Sequence, residues 1–458
     1  MNTQPQMIRQ PQAEPIQPNI PSWSPTLRIA FRFSMVYLGL YCLVTQITTS
    51  LFTFTAANAG YFPDPATLWP LRPVISWVGA HIFHVNASPT VFWGANSGSS
   101  DCIFGWVTNF CVLVIATVVT VVWSLLDRHR ENYAGLYKWF RLFARFALAG
   151  QMITYGMVKV IPVMIRYPSL IRLLQPVGTL SPMGVQWVTV GSSPGYEIFT
   201  GLAEVAGGVL LTIPSTATLG ALITLADLIE VFMLDMTYDV PLKGFSLHLI
   251  LLCFFLLAPD FLRLVRFHLL HRTTSLPTEA PLFRSVRANR VALAAQVIFG
   301  LWLVRLCGNF AWGAWNTGGG GRTLPPLYGI WEVKQMSIDE QPRPPLLTDS
   351  ARWRRAIFDY PDLMSFQRLD DSFASYGSSV NLPERTLALT KSDDKNWRAS
   401  FTFQQPAKDQ LILDGRMDNH QVHMELQLTD RNSFPLVSRG FHWTMEAPFG
   451  RYPFDHVK

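Results

Sequence analysis

Glu197 and Glu204 fall within the apolar segment Pro194–Pro214, and Asp227, Glu230 and Asp235 fall within the next one, Thr216–Val240. A carboxylate at membrane depth costs roughly 2.5–3.5 kcal/mol even on the more lenient insertion scales. Several in succession therefore mark a polar site between helices, able to hold protons, ion pairs or a polar ligand. Glu197, Gly201, Glu204 and Gly208 are offset by 0, 4, 7 and 11 residues, which places them in one stripe of a helix. The glycines admit a neighbouring helix and the acids face it. Thr224, Asp227, Glu230 and Leu234 follow a similar rule in the second segment. The turn Pro214–Ser215–Thr216 is so short that the two segments must pack antiparallel.

A complementary stripe precedes them. Gln151, Tyr155 and Lys159 are spaced four apart and present an amide, a phenol and a cation on one face. His248 and Arg305 are further polar residues in apolar segments. On this reading Glu204, Asp227, Glu230 and Lys159 carry the chemistry, and Gln151, Tyr155, Glu197, His248 and Arg305 bind substrate; no metal is expected. The competing reading is structural: acids paired with Lys159 and Arg305 fix helix register, Lys159 reaches out to the surface, and Asp235 sits at the interface.

The elements that must position these residues form a membrane bundle. Seven segments have the length a bilayer demands: Leu27–Leu51, Cys102–Leu126, Tyr137–Ile161, Gly195–Ile213, Thr216–Tyr238, Gly244–Leu264 and Val291–Trp312. The net charge of +6 does not indicate nucleic acid, because the basic residues cluster at segment ends. Arg28 and Arg32, then Arg128 and Arg130, then Lys138, Arg141 and Arg145, and finally the arginines from Arg263 to Arg290 all fall on one side if the N-terminus is inside. The C-terminal region then lies outside. Residues 1–24, rich in Pro and Gln, read as a disordered cytoplasmic tail, and 25–315 as the bundle. The first segment reads as a retained anchor.

The outer loop Phe52–Asp101 carries Trp69 and Trp77, suited to the bilayer interface, and His81 and His84, three apart, which read as interfacial polar residues. A Pro/Gly-rich loop, Pro162–Pro194, leads into the acidic segment and suits a lid. The five cysteines form no Cys-x-x-Cys pair, which argues against thiol–disulfide chemistry.

Beyond a glycine-rich linker, 316–323, the pattern changes to short alternating runs over 324–458. Tyr328–Met336, Met364–Leu369, Thr386–Thr390, Trp397–Phe403, Gln410–Met417, Gln421–Leu428 and Phe434–Trp443 read as strands, Asp418–Asn419–His420 as a hairpin turn and Arg352–Phe358 as a short helix. The fold class is a membrane all-α bundle followed by an extracytoplasmic antiparallel β-barrel or sandwich. Gly329–Ile330–Trp331 with the late Arg439 resembles the Gly-x-Trp strand and closing arginine of lipocalin-like barrels, which implies a small apolar-ligand cavity; a filled barrel used for docking is the alternative.

RFALAGQMITYGMVKV (Arg145–Val160) followed by PGYEIFTGLAEVAGGVLLTIPSTATLGALI (Pro194–Ile223) resembles the DoxX family of bacterial membrane proteins. Lys159, Glu204, Gly207 and Gly208 carry the match, within a DoxX-like core of about 137–264. The resemblance implies a four-helix membrane core in the bacterial cytoplasmic membrane, a periplasmic β-domain, and a role as subunit of, or partner to, a membrane oxidoreductase with quinone as the ligand. Three additional helices, the β-domain and the lack of a cysteine pair depart from the family. A proton-coupled transporter, and a membrane-anchored binding or assembly factor acting on a membrane or periplasmic partner through the β-domain, are the other readings.

Overall fold

The computed structural model describes residues 22–50, 64–89, 101–272, 281–394 and 396–444. The tail 1–21 and much of the first outer loop thus lie outside the described residues. Helices occupy the first part of the chain: α1 (Pro25–Val44), α2 (Gln46–Ser50), α3 (Leu71–Ile82), α4 (Ile103–Leu126), α5 (Ala134–Val160), α6 (Leu170–Leu174), α7 (Pro182–Gly191), α8 (Pro194–Thr212), α9 (Ala217–Thr237), α10 (Lys243–Leu257), α11 (Phe261–His268) and α12 (Val286–Gly318). Each segment expected to span falls largely in helix, with a break at Thr45 in the first. Four stretches among the described residues are long and apolar enough to cross a membrane: Pro25–Val44, Ile103–Leu126, Pro214–Thr237 and Val286–Gly318. The expected Gly244–Leu264 span is divided, because the chain turns at residues 258–260 between α10 and α11.

The chain forms two compact units. Among the described residues the first holds 22–49, 64–89, 101–147, 254–272 and 281–292. Arg32 is its buried anchor. Its guanidinium donates to the Tyr133 hydroxyl (2.9 Å), Ser124 Oγ (2.8 Å) and the Asp127 carbonyl (2.8 Å). The Tyr133 hydroxyl in turn donates to Asp127 Oδ2 (2.8 Å), holding that carboxyl below its ordinary range. The arginine expected as a flanking charge is thus a helix-to-helix clamp. His81 stacks on Trp77 (4.6 Å) and bonds its carbonyl, and no metal-holding group occurs among the described residues.

Among the described residues the second unit holds 50, 148–253, 293–394 and 396–444. Its C-terminal part is a barrel built from β1 (Gly329–Ile338), β2 (Gln341–Pro342), β3 (Trp353–Tyr360), β4 (Leu363–Arg368), β5 (Phe373–Asn381), β6 (Thr386–Thr390), β7 (Arg398–Gln404), β8 (Gln410–Met417) and β9 (His420–Thr429). All neighbours are antiparallel, and β1 pairs with β9, closing eight strands, with β2 an appendage on β1. Closure removes the sheet edges. Asp418 and Asn419 turn with positive φ (53° and 66°) so that Met417 pairs with His420, as a two-residue hairpin requires.

Two β-domain expectations need correction. Arg352–Phe358 is not a helix: 353–360 is β3, paired on both sides, with Trp353, Ala356, Ile357 and Phe358 buried. Phe434–Trp443 is not a strand: a short helix α13, Pro435–Ser438, follows a helical turn, and Arg439 caps that helix. Arg352 is buried in the barrel and bonds the carbonyls of Arg343 (2.9 Å) and Val333 (3.0 Å). Trp331, Phe358, Met364, Phe366, Phe401 and Met424 are among side chains that meet in one apolar core inside the barrel, as large residues do in so small a barrel.

Candidate functional site

The expected polar stripes meet in the second unit. Glycine makes this possible. A Cβ on Gly201 would lie 2.7 Å from the Gly156 carbonyl and 2.7 Å from Lys159 Cβ, so α8 and α5 touch backbone to backbone there. On the next face, a Cβ on Gly207 would meet Thr224 Oγ1 at 2.5 Å, and one on Gly220 would meet Leu211 N at 2.7 Å, which brings α9 equally close. Glu197, Gly201, Glu204 and Gly208 are all buried, as one stripe should be.

At this crossing Lys159 Nζ donates to Glu204 Oε1 at 2.7 Å, with both residues buried (8% and 3% exposed). Asp227 and Glu230 on α9 lie within electrostatic reach of the pair. Glu230 is exposed at the rim and interacts with the Tyr196 phenol. Asp235, near the end of α9, is buried and accepts from Ser246 Oγ (2.8 Å). Glu197 faces elsewhere, accepting from the Ile165 backbone N–H at 2.9 Å.

A cavity of about 90 Å³ opens beside the ion pair. Lys159, Glu204, Glu230 and Asp235 give its wall charge, and Tyr155, Trp187, Tyr196 and Phe245 give it aromatic surface. Most of the remaining lining is apolar. Concave, mainly apolar sites with a few convergent polar groups are where small ligands bind. Of the acids, bases and polar residues singled out in the sequence, Tyr155, Lys159, Glu204, Glu230 and Asp235 line it, and Asp227 lies within electrostatic reach of Lys159. Gln151 and Glu197 are buried nearby on α5 and α8 without lining it. His248 is buried and bonds the Gly244 carbonyl (2.5 Å), and Arg305 is exposed on α12; neither joins the cavity.

Sequence reasoning missed Gln186 and Trp187. They belong to α7, inside the stretch read as a loop. The signal was present: Ser181 accepts from Gly184 N–H and Pro182 opens the helix, a standard start. The rest of that stretch is also tied down. Met164 and Ile165 line the cavity. A Cβ on Gly191 would lie 2.4 Å from the Arg166 carbonyl. The Leu170 N–H donates to Asp359 Oδ2 of β3 at 2.8 Å, and Arg322 holds the other oxygen at 2.5 Å. The Leu170 side chain packs on Ile330 and Ile357 of the barrel. The expected lid is a strap running from the cavity to the barrel.

No family model matches the chain. It is 31% identical over 130 residues to "Uncharacterized protein YwoB" of Bacillus subtilis (strain 168), an alignment covering 26% of this chain and 74% of that protein. This chain belongs to the YwoB family. No solved structure matches it. The cavity described here therefore gives the YwoB family chain a physically defined site, in which a buried lysine–glutamate pair borders an aromatic pocket.

Proposed function

We propose that the chain is a membrane subunit of, or partner to, a quinone-linked oxidoreductase, and that its cavity takes the ring of a quinone. The observation that carries this reading is the Lys159–Glu204 pair on the wall of an otherwise apolar, aromatic cavity. A quinone becomes a quinol by gaining two electrons and two protons. Here the electrons come from a partner redox protein, and Glu204, Lys159, Asp227 and Glu230 handle the protons. Tyr155 and Trp187 flank the ring. The DoxX-like residues Lys159, Glu204, Gly207 and Gly208 support the same assignment, since they build the helix crossing at this cavity.

In this reading the seven apolar segments span a bacterial cytoplasmic membrane with the N-terminus inside, and the barrel stands on the outer, periplasmic side. The four long apolar helices and the basic flanks favour it.

The test is binding of a short-chain quinone to the full chain in nanodiscs, read by quenching of tryptophan fluorescence. Glu204→Gln is expected to weaken binding about tenfold, as loss of a charged hydrogen-bond partner does. No saturable binding by the unaltered chain would end the proposal, and unchanged binding by Glu204→Gln would remove Glu204 from the site.

A further inference from the structure

α12 has two faces. One is spent inside the second unit: Leu303 and Cys307 pack on Ile153 of α5, and a Cβ on Gly300 would lie 2.9 Å from Thr212 of α8. The other is exposed and carries Arg305, with Leu301 one turn before it and Asn309 and Trp312 on the turns after it. The side chains of Arg305 and Asn309 make no hydrogen bond or ion pair among the described residues. A Cβ on Gly313, one turn beyond Asn309, would meet nothing within 4 Å, so the backbone there is open to close approach. The middle of α12 is Trp302, and Arg305 lies about 5 Å beyond it along the axis. In a helix that crosses a bilayer, this depth is about 10 Å short of the nearer headgroups and is where a charge costs most. Leu301 and Trp312 suit lipid; an unpaired guanidinium does not. Charged residues at this depth pair with an opposite charge or turn towards other polar groups.

Taking α12 to cross the membrane, and independently of what the cavity binds, we infer that this face docks a membrane-spanning helix of a second protein, one that carries an aspartate or glutamate at mid-depth. The guanidinium matches a carboxylate with a pair of parallel donors. Asn309 supplies an amide of the kind that bonds across helix pairs, and Gly313 lets the partner come close. Two copies of this chain do not meet symmetrically through the same face, because that contact would set Arg305 against Arg305.

The probe is a polyleucine peptide long enough to span a bilayer, with one aspartate at its centre. It is added in trace to the full chain in phosphatidylcholine vesicles, and energy transfer between labels on the two reports association. The aspartate peptide is expected to associate about tenfold more tightly than the same peptide with leucine at its centre. Arg305→Gln should abolish that preference. Arg305→Lys, which keeps the charge but not the paired donors, should retain part of it. Both variants should unfold at the parent's midpoint, since the side chain bonds nothing within the described chain. Equal association of the two peptides, or a preference that survives in Arg305→Gln, would overturn the inference. So would a lowered midpoint in Arg305→Gln, which would show the arginine already paired within the chain. Self-association of the chain that is lost in Arg305→Gln would overturn it in favour of a second copy. None of these outcomes bears on quinone binding at the cavity, and failure of quinone binding leaves this face as it is.

Discussion

In the barrel the largest fully buried side chains are apolar, Trp331, Phe358 and Phe401 foremost, and ion pairs such as Arg354–Asp371 and His420–Asp339 stand in solvent. Around the helical cavity the arrangement differs. The Lys159–Glu204 ion pair is buried, and Leu202 of α8 and Leu219 and Ile229 of α9 face outward. The difference follows from the two solvents: water surrounds the barrel, whereas the outward apolar residues of α8 and α9 suit lipid. The part whose sequence resembles ligand-binding barrels gathers one apolar core, while the helical part, where the acids read as a site, borders the cavity.

Three perturbations break or sharpen that contrast. The largest effect is expected from Lys159→Met, which strands the buried Glu204 carboxylate; loss of about 3–5 kcal/mol of stability should appear as a lowered midpoint in detergent unfolding, and most of it should return in Lys159→Met/Glu204→Leu. If the single variant is as stable as the parent, the pair is not the internal prop it seems from its geometry. Next, Phe401→Ala should cost the barrel about 3 kcal/mol and open a void where the native barrel has none, measurable by amide exchange across β6, β7 and β8. The smallest effect belongs to the exposed pair. His420 sits 2.6 Å from Asp339 and holds its carboxyl below the ordinary range. A depressed carboxyl adds stability above its unfolded value, and that contribution fades as pH falls through the folded one. His420→Ala should therefore flatten only the acid limb of the unfolding profile, and only slightly, because the pair stands in solvent.

Helical spacing carried a good deal of this arrangement. The offsets of Glu197, Gly201, Glu204 and Gly208 place them on one face, and the face is buried. Gln151, Tyr155 and Lys159 likewise share a face of α5, though only the last two reach the cavity. Spacing within a helix says nothing of how far a neighbouring helix extends past the site, which is why His248 and Arg305 were grouped with residues they do not meet. Strands with strong alternation, such as Gln410–Met417, read cleanly. Phe373–Asn381 did not, because its Ser and Gly residues imitate a loop and only pairing with β4 and β6 makes it a strand. α7 was hidden by the Pro and Gly around it.

The strap makes the two kinds of interior answer to each other. Ile165 is pinned to Glu197 of α8 and Leu170 to Asp359 of β3, within one short run of backbone. A molecule that presses on Met164 and Ile165 does work against the same segment that Leu170 seats in the barrel. Whatever free energy occupancy lends to that seat, a firmer seat must return to occupancy in equal measure. If the cavity takes a ligand, barrel side chains that never touch it have a share in its affinity, and the β-domain acts as a weight on the far arm of a balance.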